Sequence, residues 1–64
     1  MNGRDETAIF IHNMRNQLGI ISGFCEQLLD TTPPSDTRYE DVLEIQKAAA
    51  AALALLRPLA ETIR

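Results

Sequence analysis

The sequence contains few of the residues that small proteins use for covalent or metal cross-links. Its 64 residues include one cysteine, one histidine and no tryptophan. A single cysteine excludes an internal disulfide framework, and one cysteine with one histidine cannot complete a zinc site. We therefore expect no metal in this chain, and a reducing compartment such as the cytoplasm.

Long apolar segments and leader sequences are also lacking. The longest apolar run extends from Ala48 to Leu56, which is too short to cross a bilayer. The first six residues are polar and mixed in charge, unlike a signal peptide. We expect a cytoplasmic protein without a membrane segment, and because the chain is short, at most one domain.

Positive charge is scarce relative to negative charge. Six Lys and Arg residues stand against nine Asp and Glu residues, which gives a net charge of −3. Nucleic-acid binders usually carry a basic face, so this balance argues against a nucleic-acid partner. No glycine-rich phosphate loop follows a strand pattern, so the sequence predicts no nucleotide site.

What the chain does contain is helical periodicity. In the first half, apolar residues alternate at spacings of three and four, the a/d pattern of a bundle helix. We predict helix one over about residues 5–30, with Asp5 or Thr7 as its N-cap. Cys25 falls on the seam and is expected to be a buried small hydrophobe. The predicted seam is Ile11, Met14, Leu18, Ile21, Cys25 and Leu28, widened by Phe10, Phe24 and Leu29.

His12 lies away from this seam. At about 100° per residue, the seam centres roughly 150° from His12 around the helix, so the imidazole is expected to face solvent. Glycine inside a helix costs about 1 kcal/mol relative to alanine, so two glycines on an exposed face suggest a functional reason. We call the set of residues that shares this face the polar stripe: His12, Asn16, Gly19, Gly23 and Gln27.

Two prolines separate helix one from a second periodic segment. The connection, about residues 31–36, contains Pro33 and Pro34, which end a helix and hold the chain extended. Ser35, Asp36 or Thr37 is expected to cap helix two, and Thr37 with Glu40 has capping-box spacing. Helix two is predicted over about residues 37–63, with Pro58 bending it rather than ending it. Its predicted seam is Val42, Ile45, Ala49, Ala52, Leu56, Leu59 and Ile63.

The two helices together predict an all-α fold. A short connection places them antiparallel, so residues 1–64 form one two-helix hairpin. A hairpin with broad apolar stripes leaves much apolar surface in water, and a second copy would cover it. We therefore predict an antiparallel two-helix hairpin that dimerises into a four-helix bundle.

The residues around His12 resemble a known family. Residues 11–29 are similar to the H-box helix of the dimerisation and histidine-phosphotransfer domain of two-component sensor histidine kinases. Helix two resembles the family only as a heptad-patterned partner. The positions that match the family pattern are Ile11, His12, Arg15, Asn16, Leu18, Ile21, Gly23, Leu28 and Leu29.

The resemblance implies a role for each matching polar position. His12 would be the phosphoacceptor, and Asn16 would position water or phosphate when the domain assists dephosphorylation of a partner. Gly19 and Gly23 would keep the docking face low for a response-regulator receiver domain, and Arg15 would border that face. The family works as a homodimer.

Two positions depart from the family pattern. The acid that usually follows the histidine is Asn13, and an amide cannot act as a base at neutral pH, which puts the kinase half-reaction in doubt. The usual proline five residues after the histidine is Gln17. No ATP-binding domain is recognisable, so ATP would enter only through a separate catalytic domain, in cis or in trans, and whether the chain is itself an enzyme stays open.

Two alternative functions remain from the sequence. A purely structural homodimerisation hairpin would share the architecture but be indifferent to loss of His12. An RNA-binding hairpin dimer is the weaker alternative, because it requires a basic face and the cationic residues are scattered over both helices. The sequence does not name the response regulator or the direction of phosphoryl flow.

Overall fold

The computed structural model describes residues 3–62, apart from the side chain of Arg4, and is a two-helix hairpin. Helix α1 spans Gly3–Thr31 and helix α2 spans Thr37–Thr62, and the described residues contain no strand. The helices pack along their length into an elongated body of 50 × 16 × 12 Å. The predicted all-α hairpin is confirmed.

Helix α1 begins earlier than the sequence suggested. It starts at Gly3 rather than near Asp5, so Asp5 and Thr7 lie inside the helix and neither occupies its N-cap. The Thr7 hydroxyl donates to the Gly3 carbonyl at 2.7 Å, a bond to the preceding turn that hydroxyl residues make within helices. The acids of the first turn still lie near the positive end of the helix dipole.

The connection between the helices is closed by a turn and a cap. Asp36 N donates to the Pro33 carbonyl at 2.9 Å, and Thr32 N donates to the Leu28 carbonyl at 2.9 Å. Arg38 N donates to Asp36 Oδ1 at 2.9 Å, which makes Asp36 the N-cap of α2. The Thr37–Glu40 capping box is therefore wrong by one position, because Asp36 already accepts the orphan amide of the first turn.

Asp36 is also paired electrostatically. The Arg38 guanidinium donates to both of its carboxylate oxygens, with Nη2 to Oδ2 at 2.8 Å and Nε to Oδ1 at 3.2 Å. These side-chain bonds, followed by the bond from the Arg38 backbone amide, hold the pKa of Asp36 at about 2. The cap is thus ionised across the physiological pH range.

The surface between the helices, which we call the inner seam, agrees in part with the predicted seams. Its buried residues are Ile11, Cys25, Ala49 and Leu56, and all four were predicted seam residues. Half-buried residues continue this surface at spacings of three and four, from Leu18 onward in the first half and from Tyr39 onward in the second. They are Leu18, Ser22 and Leu29 on α1, Thr32 just after it, and Tyr39, Val42, Gln46, Leu53 and Ala60 on α2.

The remaining residues of the predicted seams point to a second surface. Met14, Ile21 and Leu28 of α1 are 36–49% exposed, and Ile45 and Leu59 of α2 are exposed by about half. Each predicted seam therefore combined two neighbouring surfaces, because the apolar arc of each helix is wide enough for both. Ile63 of the predicted seam lies outside the described residues.

We call this second surface the apolar face. A groove of about 200 Å³ on it is lined by residues of both helices, so the two helices contribute to the same side of the hairpin. The groove residues are Leu18, Ile21, Ile45, Ala48 and Ala49. The large exposed residues of the face are Phe10, Met14, Ile21, Phe24 and Leu28 on α1, with Ile45, Leu55 and Leu59 on α2.

Pro58 lies inside α2. The helix continues through it to Thr62, as the prediction of a bend rather than a stop required. Neither helix in residues 3–62 is long and apolar enough to cross a membrane.

Candidate functional site

His12 lies in the third turn of α1 with its side chain exposed. Its Nε2 atom is 3.4 Å from Nδ2 of Asn16, one turn further along the helix. Spacing of four residues places the two side chains on the same face of the helix. The histidine and the amide therefore form one small polar unit that solvent and a partner can reach.

The contact with Asn16 bears on the state of the ring. The Asn16 amide N–H can donate to Nε2 only when that ring nitrogen carries a lone pair, which is the case in the tautomer with its proton on Nδ1. A neutral Nε2 carries the lone pair that a nucleophile needs. At 3.4 Å the contact is at the long end of hydrogen bonding, so little is lost when Nε2 turns to another partner.

Arg15 and Asn13 border the polar stripe on different sides. Both are exposed, and Arg15, three residues after His12, is close enough for its side chain to reach a group held at the imidazole. The Arg15 guanidinium forms no ion pair with any residue in the range 3–62. Asn13 is rotated by about 100° from His12, so the two side chains point in different directions.

Gly19 and Gly23 continue the stripe without side chains. A Cβ atom built on either residue would meet no other atom within 4 Å. Neither glycine has a positive φ, so both have ordinary helical backbones. Packing within the hairpin therefore does not require glycine here, although each glycine costs about 1 kcal/mol of helix propensity.

A shallow depression of about 450 Å³ surrounds Gly23 on the outer surface of α1. Ile20 and Phe24 form an apolar side, and Glu26 and Asp30 form an acidic side. The missing side chain of Gly23 opens the floor, and Gln27 completes the lining. By helix rise, the depression lies roughly 16 Å from His12 along α1.

The structure brings some predicted site residues together and leaves others apart. His12 and Asn16 are in contact, while neither Asn13 nor Arg15 forms a hydrogen bond with either of them. The depression around Gly23 was not predicted from the sequence, in which Phe24 was assigned to the apolar seam and the carboxylates at positions 26 and 30 were not considered. Helical spacing alone would have placed those residues around Gly23.

The described residues were also compared with the side chains that a metal site requires. Within residues 3–62, no group of three or more His, Cys, Asp or Glu side chains is arranged to hold a metal ion. Comparison with protein-family models, with curated proteins and with solved structures finds no match to this chain.

Proposed function

We propose that the chain is a dimeric histidine phosphoacceptor module of a two-component signalling system. It exchanges a phosphoryl group between His12 and the aspartate of a response-regulator receiver domain, or assists dephosphorylation of that receiver. The proposal rests on the exposed His12–Asn16 pair, which heads a stripe whose two glycines the hairpin itself does not need.

The angular layout of α1 supports this proposal. At 100° per residue, the inner seam and the apolar face lie about 80° apart, and the polar stripe lies about 140° from each. A helix in a four-helix bundle contacts neighbours on two adjacent sides and leaves the opposite side open. If a second hairpin covers the apolar face, His12 remains on the open side.

The proposed reaction is an in-line phosphoryl transfer. The lone pair on His12 Nε2 attacks phosphorus of the receiver's aspartyl phosphate, a phosphorus–nitrogen bond forms, and the bond to the carboxylate oxygen breaks. The aspartate leaves with the electron pair of that bond. Asn16 releases Nε2 and is then free to donate to a phosphoryl oxygen, and the unpaired Arg15 stabilises the developing negative charge.

In the dephosphorylation mode, the same residues act on water. Asn16 orients a water molecule toward the aspartyl phosphate, and the receiver loses phosphate without any transfer to His12. This mode needs no base beside the histidine, so it tolerates Asn13 at the position where the family has an acid. The kinase direction would require ATP from a separate catalytic domain.

The depression around Gly23 is the natural place for the receiver to dock. A partner helix that inserts an apolar side chain there would meet Ile20, and a basic neighbour would meet Glu26 and Asp30. Contact at this point, about three turns from His12, would fix the position of the receiver's phosphorylated aspartate.

A structural homodimerisation hairpin is the second candidate. The observation in its favour is the apolar face, whose large exposed residues explain the helical pattern without any use of His12. This candidate predicts that replacing His12 leaves every partner assay unchanged.

The test is phosphoryl transfer from radiolabelled, phosphorylated receiver domains to the wild-type chain, His12→Gln and Asn16→Ala. Label on the wild type and none on His12→Gln would support His12 as the acceptor. Receivers that lose label with no gain by the chain, in a manner dependent on Asn16, would support the dephosphorylation mode.

Lys47→Gln is a matched control, since it removes an exposed charge from α2, away from the polar stripe. It is expected to behave like the wild type. If no receiver from the source genome exchanges label with the chain, the structural hairpin replaces the signalling function.

A further inference from the structure

His12 lies on the side of the hairpin away from the apolar face. Its neighbour Ile11 is buried between the helices, and the residue before that, Phe10, is 58% exposed on the apolar face. Consecutive helical residues are rotated by about 100°, so Phe10 and His12 point to opposite sides of Ile11. Because Phe10 marks the apolar side of the hairpin, His12 marks the other side.

Arg57 of α2 has the same relation to the apolar face. Leu56 is buried between the helices, Leu55 is 73% exposed on the apolar face, and Arg57 is exposed. By the same rotation, Leu55 and Arg57 point to opposite sides of Leu56. Arg57 therefore lies on the side of the hairpin that carries His12.

The packing of the helices also places these two residues at about the same level. The groove on the apolar face is lined by both Leu18 and Ala49. Ile11 lies seven residues before Leu18 and Leu56 lies seven residues after Ala49, so in an antiparallel pair the two buried residues face one another. Axes of packed helices are about 8–10 Å apart, a gap that the long side chain of arginine can extend across.

Arg15 adds a second guanidinium group on α1. It lies three residues after His12 and is rotated by about 60° from it toward the inner seam, and thus toward α2. Neither Arg15 nor Arg57 forms an ion pair with any residue in the range 3–62, although Glu61 lies one turn beyond Arg57. Two free guanidinium groups, one from each helix, therefore flank the imidazole.

The segments that face each other around His12 also lack carboxylates. The sequence has nine Asp and Glu residues, and all of them lie outside residues 7–25 and 45–60. The same two segments contain Arg15, Lys47 and Arg57, so this part of an acidic chain is locally positive. Guanidinium groups match the geometry of phosphate oxygens and bind them through paired hydrogen bonds.

We propose that Arg57 and Arg15 together form a phosphate-binding site that spans the two helices and holds the phosphoryl group at His12. The identity of the anion rests on the proposed function. Arg57 donates hydrogen bonds to oxygens that remain on phosphorus throughout the transfer, and no bond to Arg57 forms or breaks. Because Leu55 and Arg57 are about 160° apart around α2, the site stays open when the apolar face is covered.

The first experiment is a titration with inorganic phosphate, followed through the NMR signals of His12, the only histidine in the chain. It compares the wild type with Arg57→Gln and with Lys47→Gln, which removes the same charge from the same helix. Arg57→Gln is expected to weaken phosphate binding about three- to tenfold, and Lys47→Gln should bind like the wild type. Circular dichroism checks that all three proteins are equally helical.

The second experiment measures transfer of label from phosphorylated receiver domains to the same proteins. Arg57→Gln should slow transfer to His12 about tenfold and leave the affinity for the receiver within twofold, because the guanidinium contacts the phosphoryl group and not the receiver. Arg57→Lys should restore part of the rate, since it keeps the charge without the paired hydrogen bonds.

The proposal is overturned if the wild type binds no phosphate, or if Arg57→Gln and Lys47→Gln bind it equally. It is also overturned if Arg57→Gln accepts label as fast as the wild type. A wild type that accepts label from no receiver would instead contradict the proposed function. The phosphate titration uses no phosphoryl donor, so it decides the binding site in that case as well.

Discussion

The apolar face and the polar stripe are both exposed on α1, yet they differ in what their side chains contribute. The apolar face carries large residues such as Phe24 and Leu28, at 61% and 49% exposure, which gain free energy when covered. The polar stripe carries one imidazole, two amides and two glycines, and contributes nothing to the core of the hairpin.

This difference separates two reasons for an unusual surface. Large exposed hydrophobic residues indicate a surface that is covered in the functional assembly. Helical glycines with open space around them indicate a surface that must stay accessible, because alanine would make a more stable helix without any clash. Under the proposed function, the first surface would serve assembly and the second would serve transient contact with a partner.

The largest effect is expected from a charged substitution at Leu55, on the apolar face. This residue is 73% exposed, whereas its neighbour Leu56 is 7% exposed on the inner seam. Leu55→Glu would place an unpaired charge in the proposed interface and weaken association by about 3 kcal/mol or more, over a hundredfold in Kd. Sedimentation equilibrium measures this change.

Two comparison variants make the Leu55 result specific. Ala50→Glu adds the same charge to an exposed position of α2 away from the apolar face and should leave Kd within twofold. Leu56→Ala should instead cost about 2–5 kcal/mol in unfolding free energy, because it leaves a cavity between the helices. Unchanged association of Leu55→Glu would show that the apolar face is not an interface.

Substitutions on the polar stripe are expected to have an effect of intermediate size, and they should stabilise the protein rather than weaken it. Gly19→Ala and Gly23→Ala should each raise the unfolding free energy by about 0.5–1 kcal/mol, since the added methyl groups meet no neighbour. Urea unfolding monitored by circular dichroism measures this gain. Under the proposed function, the same variants should slow phosphoryl exchange with a receiver domain.

A variant in which both glycines are replaced separates their effect on helix stability from their effect on docking. If Gly19→Ala with Gly23→Ala is more stable and exchanges phosphoryl groups as fast as the wild type, the glycines do not serve docking. Loss of stability in either single variant would mean that the methyl group meets something outside the hairpin, such as a second copy.

The smallest expected effect concerns Asp36, which lies on neither the apolar face nor the polar stripe. The pKa of Asp36 is held at about 2 by hydrogen bonds from the Arg38 side chain and then from its backbone amide. Because this pKa lies below the value of about 3.9 in an unfolded chain, the cap stabilises α2 fully above pH 4. That contribution should fade as the pH falls from about 4 to 2.

Thermal melts of the wild type and Asp36→Asn between pH 2 and pH 5 measure this dependence. Asparagine keeps the capping acceptor but cannot ionise, so the difference in Tm between the two proteins should shrink toward pH 2. A difference that stays constant over this range would mean that the Asp36–Arg38 pair does not stabilise the helix.

Much of the fold could be predicted because its local signals agree. The proline pair at positions 33 and 34 ends one helix, Asp36 starts the next, and spacings of three and four continue on both sides. The exposure of His12 followed from the same periodicity. The position of the first helix start did not, because Gly3 and Arg4 carry no capping signal and the helix extends through them.

The inner seam was predicted only in part: its four buried residues all belong to the predicted seams, but some of its half-buried positions are polar. Ser22 and Gln46 are half-buried and lie in the helical rows of the inner seam. A search for apolar residues passes over them and selects Ile21 and Ile45 instead, which belong to the apolar face. The depression around Gly23 was not predicted for a related reason, because a glycine adds no residue to the pattern of apolar positions.

The buried position of Cys25 makes its thiol a probe of how often the two helices of the hairpin separate. Its thiol is the only one in the chain and is 4% exposed on the inner seam. A thiol-modifying reagent can therefore reach it only when the two helices separate, so the alkylation rate measures the opening equilibrium directly. Any ligand or second copy that holds the helices together would slow that reaction in proportion to its binding.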